Sequence, residues 1–191
     1  MKCLFLGYDK NKTRLIQLLT ENGCEVTHKI SDLQIDDIKR NNLIISFGYR
    51  KIINKKILSL AERPIINLHL SFLPFNRGAH PNFWSFIDNT PSGVTIHEID
   101  EGIDTGPIIY QKKFDIDILK DNFLTFRKTY SFLFREVEEL FEKNLKNILE
   151  KKYTSISQKK GGSFHKEKEL PHFIENWDLN ILDAKKNLTN N

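Results

Sequence analysis

The chain has 191 residues, 39% hydrophobic and 28% charged, with fourteen phenylalanines and a net charge of +4. That length suits one domain with at most a small appendage, and the composition excludes disorder throughout. Two cysteines without a CxxC pair exclude a disulfide scaffold and a metal ribbon, and no segment reads as a signal peptide or membrane span, so a cytoplasmic protein is expected.

In chain order, Lys2 to Tyr8 is a short apolar run and is predicted as a strand. Asn11 to Asn22 places Leu15, Ile16, Leu18 and Leu19 on one helical face, with Gly23 as a stop. A strand at Glu25 to Ile30 and a short helix around Ile35 and Ile38 precede Leu43 to Phe47, whose unbroken apolarity belongs inside a parallel sheet. Asn54 caps a short helix through Leu60, and Ile65 opens the next strand. The alternation predicts an α/β fold, a Rossmann-like and mostly parallel sheet with flanking helices. Its first turn, Gly7-Tyr8-Asp9-Lys10-Asn11, lacks the further glycines that admit a pyrophosphate, so no dinucleotide is expected.

Pro81 to Ile87 reads as a helix with proline in its first turn, and Val94 to Ile99 and Ile108 to Ile116 read as strands. Asn122 to Leu149 is one long amphipathic helix; its stripe of Phe126, Tyr130, Leu133, Val137, Leu140, Phe141, Leu145 and Ile148 serves the core or a dimer. From Lys151 the composition changes: Tyr153 to Ile156 reads as a strand, Gly161-Gly162-Ser163 as a turn, and Trp177 anchors a polar tail. The expected partition is a main domain, 1–150, and a C-terminal extension, 151–191, with a short hairpin.

Asn67 and His69 stand at i and i+2 on the strand opened by Ile65, so both project to one face. An amide donor beside an imidazole suits oxyanion stabilisation with proton transfer. Alternatively both are satisfied polar residues at a strand end. Asp104 follows a strand in a glycine-bearing loop, where a carboxylate near His69 would orient the imidazole; an Asx turn is the other reading. His97 follows the strand period and reads as packed or exposed. No HxxxH or HxH spacing supports a metal site, and no nucleophile elbow surrounds Ser71. Arg77 with Gly78 could hold an anion, or form a structural ion pair.

Asn67-Leu-His69-Leu-Ser71-Phe-Leu-Pro74, Arg77-Gly78 and Gly93-Val-Thr-Ile-His-Glu-Ile-Asp-Glu-Gly102-Ile-Asp104-Thr-Gly106 resemble the formyltransferase family, with the resemblance covering roughly residues 43–116. It implies an N-formyltransferase that takes its formyl group from N10-formyltetrahydrofolate without a metal, with Asn67, His69 and Asp104 as the catalytic set. It also implies a pterin pocket between two loops, one with Tyr49, Arg50, Ile52 and Ile53, the other with Glu101, Gly102 and Ile103.

The residues after the last strand leave too little chain for the C-terminal barrel of the tRNA-modifying relatives, and no Lys/Arg cluster marks a tRNA track, so nucleic acid is not expected. The loop Asn76 to Trp84 and the segment Lys160 to His165 resemble the short sugar N-formyltransferases. The expected acceptor is therefore a nucleotide-linked amino sugar, a dTDP-4-amino-4,6-dideoxy sugar, destined for a surface polysaccharide, with Arg77, Asn82 and Trp84 beside it. Methionyl-tRNA or glycinamide ribonucleotide as acceptor, and a non-catalytic folate- or nucleotide-binding module, are the competing readings. The resemblance and the Phe-rich helix together lead us to expect a homodimer and no membrane partner.

Overall fold

The computed structural model describes residues 1–117, 123–174 and 176–189. The first half alternates as the sequence predicts: β1 (Lys2–Gly7), α1 (Leu15–Glu21), β2 (Glu25–Lys29), α2 (Ile35–Lys39), β3 (Leu43–Phe47), α3 (Lys55–Leu58) and β4 (Ile66–His69). There follow β5 (Arg77–Gly78), α4 (Pro81–Ile87), β6 (Ser92–Glu98), β7 (Ile108–Phe114), α5 (Phe126–Leu149), β8 (Phe164–His165) and α6 (Ile181–Thr189).

The main sheet has the order β2-β1-β3-β4-β6-β7. β3 is buried at every position, as its run of apolar residues requires when helices cover both faces. The neighbours β2-β1-β3-β4 pair parallel, whereas β6 is antiparallel to β4 and β7 antiparallel to β6. That reversal starts the β6–β7 connection, residues 99–107, beside the beginning of β4, where the Ile99 N–H donates to the Ile65 carbonyl. Asn67 pairs in register with His97, and His69 with Thr95.

α5 starts at Phe126, where the Thr125 side chain accepts from the Lys128 N–H; the expected start at Asn122 lies outside the described residues. Its Leu133, Val137, Phe141, Leu145 and Ile148 pack into the core under β1, β3, β4 and β6. Each fully buried side chain of that size contributes about 1.5–3 kcal/mol, more than helix propensity supplies. The stripe is thus consumed within the chain.

Among the described residues the tail closes no hairpin on itself. Ile156 makes a single antiparallel bridge to Ile108, and β8 pairs parallel with β5. α6 brings Ile181 and Ala184 onto Phe83, Phe86 and Phe126, with Trp177 packed against the same cluster. The physical reason is the apolar face of α4, which the sheet leaves uncovered and the tail buries. Among the described residues no helix is long and apolar enough to cross a membrane.

Candidate active site

The end of β4, the 99–107 loop and β5 converge on one point. Asn67 and His69 project together, as period two requires. Asp104 reaches them from the facing loop in a left-handed conformation, φ 53°. Its Oδ1 accepts from Asn67 Nδ2 at 3.3 Å, and its Oδ2 accepts from the Gly78 N–H at 2.9 Å and lies 3.6 Å from His69 Nδ1.

His69 is buried, and its Nε2–H donates to the Asn76 carbonyl at 3.0 Å. That bond spends the proton of a neutral imidazole and leaves Nδ1 bare, facing Asp104. Burial lowers the His69 pKa below the usual value; Asp104 opposes that shift and His97 reinforces it. For Asp104, burial is the largest single influence and pushes upward, but the neighbouring His69 ring, the His97 ring and the Gly78 N–H together outweigh it. The carboxyl therefore titrates well below the ordinary carboxylate range.

His97 is the residue that sequence reasoning missed. It is buried, and its Nδ1 lies 2.7 Å from the Glu98 carbonyl, a pure acceptor, so Nδ1 carries the proton. Its bare Nε2 then accepts from Asn67 Nδ2 at 3.1 Å. This tautomer fixes which end of the Asn67 amide is the donor. Its local signal, a histidine between Ile96 and Glu98 on a strand, fits packing equally well; only the antiparallel register with Asn67 reveals the contact. Asn76, buried and left-handed at φ 56°, was also missed.

The two loops expected around a pterin are linked through the start of α3, which follows the first of them. Lys55 Nζ, at the start of α3, pairs with Glu101 Oε1 at 2.8 Å. Ile52 on one loop is 83% exposed and Ile103 on the other 47%, so both hold apolar surface out to solvent. Gly102 N donates to Asp100 Oδ1, and a Cβ on Gly102 would collide with the Thr105 side chain. Ile53 instead packs inward, and the Tyr49 hydroxyl donates to the Ser31 carbonyl at 2.9 Å. Arg50 is exposed, close enough to His80 and Tyr130 for its charge to act on both.

Beside Asp104 opens a cavity of about 220 Å³ lined by Arg77, Ile103, Thr105 and Phe164. Arg77 borders it, with Nε and Nη2 donating to Gln158 Oε1 at 3.2 and 2.8 Å. Asn82 is turned away: it is buried, and its Nδ2 donates to the Phe126 carbonyl at 3.0 Å, fastening α4 to α5. Trp84 stacks on His165, with ring centroids 4.0 Å apart and planes 6° from parallel.

The family model for formyl transferase matches residues 11–133. The methionyl-tRNA formyltransferase of Thermodesulfovibrio yellowstonii is 47% identical over 74 residues, 38% of this chain and 24% of that protein. The dTDP-4-amino-4,6-dideoxyglucose formyltransferase of Mycobacterium tuberculosis is 34% identical over 94 residues, 49% of this chain and 38% of that protein. The matched stretches thus span well under half of these curated relatives. The crystal structure of the formyltransferase PseJ from Anoxybacillus kamchatkensis, in complex with UDP-4,6-dideoxy-4-formamido-L-AltNAc and tetrahydrofolate, superposes with a TM-score of 0.85. It is 38% identical and covers 95% of this chain and 96% of its own.

Proposed function

Because the chain belongs to the formyl transferase family, we propose that it transfers a formyl group from N10-formyltetrahydrofolate to the 4-amino group of a nucleotide-linked 4,6-dideoxy sugar, a step toward a surface polysaccharide. The observation that carries the reading is the convergence of Asn67, His69 and Asp104 beside an open cavity and two loops that offer apolar surface. Ile52 and Ile103 offer exposed apolar surface that a flat heterocycle would cover, and the main chain of both loops would meet its polar edge. The folate supplies the formyl group and leaves as tetrahydrofolate.

The protein side of the chemistry divides by basicity. Asp104 is the weaker base, since its carboxyl titrates well below the ordinary range; His69, kept neutral by burial, presents a bare Nδ1. His69 therefore takes the proton of the attacking amine, and Asp104 stabilises the imidazolium that results. Asn67 Nδ2–H donates to the oxyanion that develops on the formyl oxygen, exchanging its long 3.3 Å bond to Asp104 for a stronger one. The imidazolium returns its proton to the departing nitrogen.

The dTDP-linked acceptor expected from the motifs draws support from the mycobacterial relative, and a UDP-linked one from PseJ, which matches along nearly its whole length. The test follows tetrahydrofolate release from N10-formyltetrahydrofolate while offering dTDP- and UDP-linked 4-amino-4,6-dideoxy sugars, GDP-perosamine, glycinamide ribonucleotide and methionyl-tRNA. Release with a nucleotide 4-amino sugar is expected. Release only with methionyl-tRNA or glycinamide ribonucleotide overturns the acceptor, and release with none overturns turnover itself.

A further inference from the structure

The C-terminal segment returns to the active centre and grips it in two places. Gln158, half-buried, donates from Nε2 to the Asp104 carbonyl and to the Gly106 carbonyl, each at 2.8 Å. Its Oε1 is held in turn by the Arg77 guanidinium. The residue after Arg77, Gly78, gives its N–H to the Asp104 carboxylate. Asp104 is therefore clasped at both main chain and side chain by one circuit, Gln158–Arg77–Gly78.

The second grip acts on His69. Its acceptor is the carbonyl of Asn76, whose N–H donates to Ser163 Oγ at 2.9 Å; the same hydroxyl donates to Asn76 Oδ1 at 3.0 Å. Asn76 Nδ2 is tied to Thr90 Oγ1 at 2.7 Å. Gly162 lets the segment pass this close, since a Cβ there would run into the Pro74 carbonyl. Asp104 and Asn76 are both left-handed and not glycine. Left-handed backbone away from glycine persists only where the surroundings over-determine it.

The geometry points to Gln158 and Ser163 as positioning residues of the formyl-transfer centre, Gln158 acting through the Asp104 backbone and Ser163 through Asn76 on His69. This rests on the roles given above to Asn67, His69 and Asp104, but it extends the active centre into the segment after α5. A merely structural tail would hold the fold together without setting the geometry of the acid and the imidazole.

The test compares Gln158→Leu, Gln158→Glu, Ser163→Ala and Ser163→Thr in the full chain. Gln158→Glu keeps an acceptor for Arg77 but offers no N–H to the two carbonyls, so it is expected to behave like Gln158→Leu. For both, kcat falls about 100-fold, the scale of a 1 Å misplacement, while KM for donor and acceptor stays parental. Ser163→Ala lowers kcat, and Ser163→Thr, which keeps the hydroxyl, restores it.

The second reading is the titration of the His69 imidazole by NMR. His69 faces the titratable groups Asp104 and His97. When Asp104 is released, its support for the imidazolium is lost, and the His69 titration moves to lower pH in the Gln158 variants. If Gln158→Leu does not fold, Arg77→Met, which strips Gln158 of its anchor, carries the same kcat and His69 titration readings. A parental kcat and an unmoved His69 titration, with only a lower Tm, overturn the proposal. If the parent transfers no formyl group to any acceptor, the assigned chemistry fails, yet the His69 titration still decides whether Gln158 positions Asp104.

Discussion

Asn67 and His97 face each other across the antiparallel β4–β6 pair, and the Asn67 amide donates to the His97 imidazole at 3.1 Å. The Glu98 carbonyl sets the tautomer of that imidazole, and the tautomer sets the amide. A chain of one main-chain oxygen and one ring thus aims the proposed oxyanion donor.

Replacing His97 with alanine should leave the Asn67 amide free to rotate. The expected outcome is a fall in kcat of about 10–100-fold with little change in KM, smaller than the loss for Asn67 itself. Steady-state kinetics on both variants checks the order; a His97→Ala enzyme at the parental rate would sink the tautomer argument.

Asn67→Ala removes the donor outright. A loss of about 10²–10³-fold in kcat, or about 2.7–4 kcal/mol of barrier, is expected, with the circular dichroism spectrum unchanged because the side chain is only partly buried. Turnover near the parental value would remove Asn67 from the chemistry.

The pH dependence follows from two groups whose folded pKa values lie below their ordinary ones. Such groups favour the folded state at neutral pH, and acidification removes that stability. Loss begins as pH falls below about 6.5, where the unfolded chain takes up the proton that buried His69 resists, and continues below about 3.9 for Asp104. Urea unfolding between pH 7.5 and 5.5 should show a falling midpoint in the parent and a flatter one in His69→Gln. In the same way, the acid limb of kcat/KM should inflect below about 6.5, since the base must be neutral. An identical slope in both proteins, or an inflection above the ordinary histidine value, contradicts the assignment.

Ile103 stands half-exposed on the loop that carries Asp104. Ile103→Glu should raise KM for the formyl donor by about tenfold, the equivalent of about 1.4 kcal/mol of lost binding, while kcat at saturation holds. A KM shift confined to the acceptor would move the pterin elsewhere.

Arg63 donates to the Ile148 and Leu149 carbonyls at 2.6 and 3.1 Å, capping the end of α5. Hydrogen bonds from a charged donor are worth about 1.5–3 kcal/mol, so Arg63→Ala should lower unfolding free energy by roughly that amount and leave kcat unchanged. Denaturant titration and kinetics on one preparation test both halves.

Much of the fold could be read locally. Period two placed Asn67 and His69 on one face, the unbroken apolarity of Leu43 to Phe47 marked an interior strand, and glycines and a left-handed aspartate belong together in a loop such as 100–106. Asp104 needed the motif as well, because an acid in such a loop has a commoner local use. His97 carried a local signal that packing explains equally well, in a strand that could pair either way, and Gln158, in a polar segment, carried none.

The sequence by itself determined which side chains share a face, where the chain turns, and the family to which those motifs belong. Each of these depends on residues close together along the chain. Tertiary structure alone decided that β6 runs against β4, which sets His97 opposite Asn67, and that the tail returns to bury the α4 face, which brings Gln158 onto Asp104 and Ser163 onto Asn76. Pairing order and the course of a returning segment follow from which apolar surfaces remain to be covered once the sheet is built. That balance is struck between residues far apart in the chain, so no window of the sequence contains it.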